Sequence, residues 1–291
     1  MAALVAAFPK QNLHVADLPY RLSSWALDDP ANVGLWLNEH GDLRAWAAMQ
    51  TPFWCIDCIC HPADEALYPH LLAWADRRAR TAANTSSGRP AWFVNVFADQ
   101  AARLRDLDGA GFASQAKVPK NAWSKVLMER PSQPVPDGSA PPTGYLIRPL
   151  AGEQEVAAYV DCHRSAFQSD SMQMGWRART LRQPEYVPDL DLVAVAPGGA
   201  LAGFCVCWLH RDAAGQISGQ VEPIGVHADL RGLGLGRALL SEGLRRLQRH
   251  GATRVCVETD SHRDAAFGLY ESAGFRVTRQ VWVYRKDYGT A

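Results

Sequence analysis

One order of elements is legible twice in this chain, and a sequence that repeats its own architecture has few ways to fold. In the second half, DLVAVAP and LAGFCVCWLHR read as strands that meet at GGA, a hairpin signal. QVEPIGVH follows as a strand, then a glycine-rich loop and a helix to about His250, then the strand TRVCVETD. DAAFGLYESAG is a helix with glycine at its C-terminal end, and FRVTRQVWVYRKD a closing strand or hairpin. The first half runs the same way: the hairpin NVGLWLNEHGDLRAWAAM, the strand FWCIDCICHP, the helix DEALYPHLLAWADRRAR, the strand AWFVNVFA, the helix AARLRDLDGAGF and the strand WSKVLMER. His61 returns as His227 and Phe112 as Phe275 at nearly one offset, which points to a duplicated domain. Residue by residue the halves differ, so chance agreement of two mixed folds is the alternative.

Between the halves, PSQPVPDGSAPPTG is rich in Pro, Gly and Ser and reads as a linker. The expected division is a first domain over 1–130, a linker over 131–144 and a second domain over 145–291, of which YLIRPL is the first strand, EQEVAAYVDCHRSAF the first helix and SMQMGWRARTLRQ the second. A chain of 291 residues suits two domains of ordinary size.

Thirty basic and thirty acidic residues leave no net field to recruit nucleic acid or an anionic membrane. The apolar runs are shorter than the roughly 20 residues that cross a bilayer, and MAALVAAFPK lacks a basic segment before its apolar run. A cytoplasmic protein, a monomer or homodimer acting on a small-molecule or peptide partner, is expected. Cys55, Cys58 and Cys60 lie in an apolar strand without a second ligand pair at finger spacing, and Cys205 and Cys207 alternate along another. They read as buried, reduced thiols, and no metal is expected.

The chemistry gathers in RGLGLGRALL, residues 231–240. Glycines at alternate positions before a helix let the backbone approach a ligand and leave first-turn N–H groups facing an anion; a helix start without a ligand is the plain alternative. A dinucleotide fingerprint fails, because the sixth position is Arg237 counted from Gly232 and Leu239 counted from Gly234. A nucleotide P-loop fails too, since Gly236 is followed by Arg237 and Ala238 instead of Lys and Ser or Thr.

What fits is Arg-x-x-Gly-x-Gly after a strand: Arg231, Gly232, Leu233, Gly234, Leu235 and Gly236. With VEPIGVHADLRGLGLGRALL around it and AAFGLYESAGF behind it, the stretch resembles the core of the GNAT acyltransferase superfamily over most of 145–288. The first half looks like a second, degenerate copy, with Ala63, Asp64 and Glu65 where the loop would be; carboxylates there repel a diphosphate, so that copy is expected to bind no acetyl-CoA. The whole resembles tandem-GNAT proteins. That implies an α/β fold of two tandem domains, each a mixed, mostly antiparallel sheet with flanking helices and a splayed parallel strand pair.

The same resemblance implies acetyl-CoA as co-substrate, held by Arg231 to Arg237 and by backbone near Ile224 and Val226, with direct attack of an amine on the thioester. Pro223 has no N–H to give a ladder and favours a bulge at the splay. Glu222 is the candidate base; on a regular strand it shares a face with Ile224 and Val226, and its alternative is a carboxylate at an exposed strand start. Tyr270 stands where the family's general acid would be, and it can also pack near Phe275. Seven residues before it the family often has asparagine; here Arg263 stands there, which could reach a CoA phosphate or be solvated. His163 and His227 read as structural.

The acceptor is expected along AFQSDSMQMGWRARTLRQPEY, where Asp170 could attract a cationic amine and Met172, Met174 and Trp176 could line an apolar wall or pack as ordinary helix residues. Two function classes remain at this level: an acetyl-CoA-dependent N-acyltransferase, and a non-catalytic acyl-CoA sensor or interaction module.

Overall fold

The structure is a computed structural model and describes residues 1–118, 122–135, 140–261 and 264–289. The first half carries α1 (Ala2–Ala7), α2 (Leu18–Leu22), β1 (Val33–Leu37), β2 (Leu43–Gln50), β3 (Cys55–Cys60), α3 (Tyr68–Ala82), β4 (Ala91–Phe97), α4 (Ala101–Gly109), β5 (Ala113–Ser114) and β6 (Ser124–Pro131). The second carries β7 (Leu146–Pro149), α5 (Val156–Phe167), α6 (Met174–Leu181), β8 (Asp191–Val195), β9 (Leu201–Arg211), β10 (Ile217–Val226), α7 (Leu235–Arg249), β11 (Arg254–Asp260), α8 (Asp264–Ser272) and β12 (Arg276–Asp287). No helix among the described residues is long and apolar enough to cross a membrane.

Two compact units emerge. One holds Met1–Val126, Asp260–His262 and Arg279–Ala291; the other holds Leu127–Thr259 and Arg263–Thr278. Residues 136–139 of the stretch expected as a linker lie outside the described residues; β6 ends at Pro131, with most of β6 in the second unit and most of β12 in the first. The closing segment is therefore one strand, and its outer part pairs antiparallel with β4 from Val281↔Phe97 to Asp287↔Ala91. No pattern of period two can announce this, because apolar alternation says which face a strand buries and nothing about its neighbour.

In the first unit the sheet order is β1-β2-β3-β4-β12. Along β2, Ala45, Ala47 and Met49 face the core under α3, with Leu71, Leu72 and Ala75, while Trp46 and Ala48 face Leu4, Val5 and Leu18 of the N-terminal segment. β3 and β4 are parallel and meet at one register pair, Cys55↔Phe93.

In the second unit the order is β6-β11-β10-β9-β8-β7, antiparallel from β7 to β10 and parallel between β10 and β11. One face carries α7, seated closely because Gly243 has no side chain: a Cβ there would lie 3.0 and 3.1 Å from the sulfurs of Cys207 and Cys205. The other face carries α5, where Tyr159 and His163 pack on Phe204. The five cysteines read as buried are buried, as is Cys162; Cys256 is half-buried, and all seven are free thiols. Each unit thus has a mixed sheet with flanking helices and a parallel pair that opens.

Candidate functional site

The opening begins where pairing stops. β10 and β11 are in register at Ser218↔Arg254, Gly219↔Val255 and Gln220↔Cys256, and the pairing runs no further. On its other edge β10 pairs with β9 at Val221↔Cys207 and then at Ile224↔Cys205, so one residue of β10 is extra and a bulge sits at Glu222 and Pro223. Two consequences follow. Proline is accommodated without a missing ladder bond, and the alternation expected for a regular strand is broken.

Val221, Ile224 and Val226 share the α7 face with Cys207, Cys205 and Gly203. Glu222 does not continue that row, which corrects the face expected for it. It is half-buried, its carbonyl accepts the Trp208 indole N–H at 2.6 Å, and its charge joins burial, the main cause, in raising the pKa of the Tyr159 phenol on α5.

After β10 the chain makes a short turn, Ala228–Leu230, capped by the His227 ring, whose Nδ1 accepts the Asp229 N–H at 3.4 Å. The loop follows. Gly232 and Gly234 have φ of 80° and 84°, and a Cβ on either would meet nothing within 4 Å. Their reason is therefore backbone conformation, and the space beyond them is open. Gly234 is the N-cap of α7, and Ala238 N–H donates to its carbonyl. Among the described residues, the six N–H groups from Gly232 to Arg237 have no protein acceptor, which is the arrangement an anion at a helix start requires. Leu235 is buried and anchors the helix; Leu233 and Arg237 are exposed.

Gly236 differs from its two neighbours. Its φ is ordinary, and a Cβ there would lie 3.7 Å from both Val226 Cγ2 and Leu269 Cδ2. The end of β10, the start of α7 and the helix α8 converge at that point. Tyr270, next in α8, is 6% exposed and packs edge-on against Phe275, ring centroids 5.8 Å apart. Arg263 lies outside the described residues.

His163 is buried in a cluster with Tyr159, Phe167 and Phe204, stacked on the last at 5.4 Å. Burial, with the charges of Arg177 and Arg164, lowers its pKa to about 3, so the ring is held neutral. Of the residues expected along the acceptor side, Met172 and Trp176 are buried, Met174 is 50% exposed and Asp170 is exposed. Sequence reasoning did not find the buried pair of Arg177 and Asp191 behind them, where Tyr186 OH donates to Asp191 Oδ2 at 2.7 Å and the guanidinium lies 3.6 Å from the Tyr159 ring centroid.

In the first unit the corresponding stretch is a 3-10 helix over Pro62–Leu67. Ala63 N–H donates to His61 Nδ1 and Asp64 N–H to His61 O. Asp64 accepts from Arg44 at 2.7 Å, and Glu65 is bidentate with Arg103 at 3.0 and 2.6 Å. The two carboxylates are thus paired with guanidinium groups, and what this stretch lacks is a run of free N–H groups. The opening between β3 and β4 is lined by the chain's own Gln11, Asn12, Leu13 and His14, which leave a cavity of about 40 Å³.

Residues 152–275 match the Acetyltransferase (GNAT) family. The chain is 33% identical over 165 residues to a mycothiol acetyltransferase of Thermobispora bispora, covering 55% of this chain and 56% of that protein. It is 31% identical over 161 residues to a mycothiol acetyltransferase of Paenarthrobacter aurescens, covering 54% and 49%. The matched stretch spans about half the length of these relatives. In fold, the chain is similar to a GCN5-related N-acetyltransferase from Sphaerobacter thermophilus, at TM-score 0.65 and 20% identity over 89% of this chain and 82% of that one. It is similar over its whole length to a tandem GNAT protein from the clavulanic acid biosynthesis pathway, at TM-score 0.65 and 16% identity, covering 94% of that chain.

Proposed function

We propose that this protein, whose residues 152–275 match the Acetyltransferase (GNAT) family and whose fold is similar to that of a tandem GNAT protein, is an acetyl-CoA-dependent N-acyltransferase that acetylates a primary amine by direct attack. The observation that carries the reading is the run of six N–H groups at Gly232–Arg237 without a protein acceptor among the described residues, on the loop that follows β10. One helix dipole contributes ~0.3–1 kcal/mol, whereas micromolar binding needs about −8 kcal/mol, so convergence of several donors with flanking contacts is what makes a diphosphate site.

In this reading the loop takes the diphosphate, with exposed Arg237 beside it, and the backbone at Ile224 and Val226 takes the pantetheine arm and polarises the thioester carbonyl. Glu222 accepts the proton released as the amine nitrogen bonds to the acyl carbon. Tyr270 gives its proton to the sulfur as the carbon–sulfur bond breaks. Groups placed in this way contribute ~10²–10⁴-fold each. The first copy, over 1–130, serves as scaffold and binds no acetyl-CoA, since its N–H groups are used within the protein and residues 11–14 line its opening. The relatives' name makes a mycothiol-related amine the first acceptor to try, within a panel of small amines and peptide N-termini.

A thermal-shift titration with acetyl-CoA, CoA and NADH tests the loop, because a ligand at 100 times its Kd stabilises by about 2.7 kcal/mol. Response to the CoA compounds alone is expected; silence from both withdraws the proposal. Glu222→Gln and Tyr270→Phe then test the roles. Both variants should keep CoA binding and lose turnover, and unchanged turnover in both would remove the assignment. Binding of CoA with no turnover of any amine would favour the acyl-CoA sensor instead.

A further inference from the structure

The free N–H groups of the loop owe their placement to residues far from it in sequence. His227 N–H donates to Ala202 O at 2.9 Å, Ala228 N–H donates to Ser165 Oγ at 3.1 Å, and Arg231 Nη2 donates to Ala166 O at 2.7 Å. Two of these three bonds land on the last turn of α5. That turn has little room to slide, because a Cβ on Gly225 of β10 would lie 2.9 Å from the Cβ of Ala166. It is also tied forward. After Gln168, at φ 51°, Ser169 N–H returns to Arg164 O at 3.2 Å, and Arg164 Nε donates to Met172 O at 3.0 Å. Residues 164–172 therefore form one hydrogen-bonded block, fastened to the loop at Ser165 and Ala166.

We propose that Ser165 and Arg231 are positioning residues that latch the donor loop to the end of α5, and that the latch carries occupancy of the loop into residues 164–172. Arg231 then acts through its bond to Ala166 O, and the diphosphate is left to the backbone N–H groups and Arg237. The block contains the exposed Asp170 and the partly exposed Phe167, at 37% exposure, and Met174, at 50%, stands two residues beyond it. An anion that draws the N–H groups of Gly232–Arg237 together pulls on a loop whose attachments to α5 are the Ser165 hydroxyl and the Ala166 carbonyl. Binding on the donor side thereby stiffens the wall an acceptor would meet, a coupling that works equally in the other direction. This inference rests on the loop being the acyl-CoA site.

The test uses the full chain with CoA as the probe and needs no acceptor. Hydrogen exchange followed by mass spectrometry should show residues 164–172 exchanging several-fold more slowly at saturating CoA. Ser165→Ala and Arg231→Gln should each weaken CoA binding about five-fold, the scale of one net hydrogen bond, and should abolish protection of 164–172 when CoA is raised to saturation. Ser165→Thr keeps the hydroxyl and should restore both affinity and protection, which a loss of general stability would not do. Binding of CoA to the wild-type chain with 164–172 unprotected overturns the latch and leaves the site standing. Failure of CoA to bind the wild-type chain overturns the site and the latch together.

Discussion

Gly234 and Gly236 stand two residues apart in the same loop, and alanine at each should act on the ligand-free chain with opposite sign. Gly234 has φ 84° and ψ 0°, and its missing Cβ would meet nothing within 4 Å. The cost of Gly234→Ala is therefore purely one of backbone, ~1–2 kcal/mol for a left-handed residue, offset in part by a less flexible unfolded chain. About 1 kcal/mol remains, which lowers Tm by about 2–4 °C in a domain of this size. Gly236 has an ordinary φ in the first turn of α7, and its Cβ would make normal contacts at 3.7 Å. Alanine there gains about 0.5–1 kcal/mol of helix stability. The loop of Gly234→Ala can also escape by leaving the left-handed region, which spares stability but must be reversed when the N–H groups gather on a phosphate. The penalty then appears in CoA affinity, about five- to ten-fold for ~1–1.4 kcal/mol. Calorimetric melts of the ligand-free variants and titration with CoA measure both quantities. If Gly234→Ala matches the wild type in Tm and in CoA affinity alike, the left-handed N-cap is not what shapes the loop.

Other tests concern the surroundings. Arg177 and Asp191 are fully buried and paired, so Asp191→Ala should strand a buried guanidinium and cost about 3–5 kcal/mol in urea unfolding; a loss below about 1 kcal/mol would contradict this. His163 has its folded pKa lowered to about 3, against about 6.5 unfolded. The unfolded chain then binds the extra proton between those values, and stability falls as pH drops through that window, by up to ~1.4 kcal/mol per unit. His163→Phe should flatten that part of the stability profile, and an unchanged profile would refute the assignment. Burial raises the Cys60 thiol to about 12 and the Cys58 thiol well above its ordinary value, and the contact with Cys207, together with burial, does the same for Cys205, so a thiol reagent at neutral pH should label only Cys256 rapidly in the native protein and all seven cysteines in denaturant; fast native labelling of several would refute the burial.

Much of the candidate site was legible because its grammar is local. Alternating glycines ahead of an apolar helix specify left-handed backbone and exposed N–H groups whatever lies nearby, and Pro223 announced a bulge by lacking a donor. What that bulge does to Glu222 was not legible, since one extra residue reverses the face of everything on one side of it and only the register with β9 counts residues on both strands. The partner of Arg231 was not legible for a similar reason: its guanidinium bonds a carbonyl 65 residues earlier. In the first unit, Asp64 and Glu65 read as bare repulsive charges, whereas Arg44 and Arg103 pair with them.

The order of residues alone settles what short stretches do: where helices start, which strand face is apolar, where the backbone turns left-handed, and that the pattern comes twice. Tertiary structure decides which stretches meet. It pairs β12 with β4 in the first unit, lines the opening of that unit with residues 11–14, and fastens the turn before the glycine loop to Ser165. The reason is physical. Dihedral preference and side-chain period act within a few residues, whereas a strand edge or a hydroxyl accepts whichever partner the register brings within about 3 Å, and register is a property of the assembled sheet.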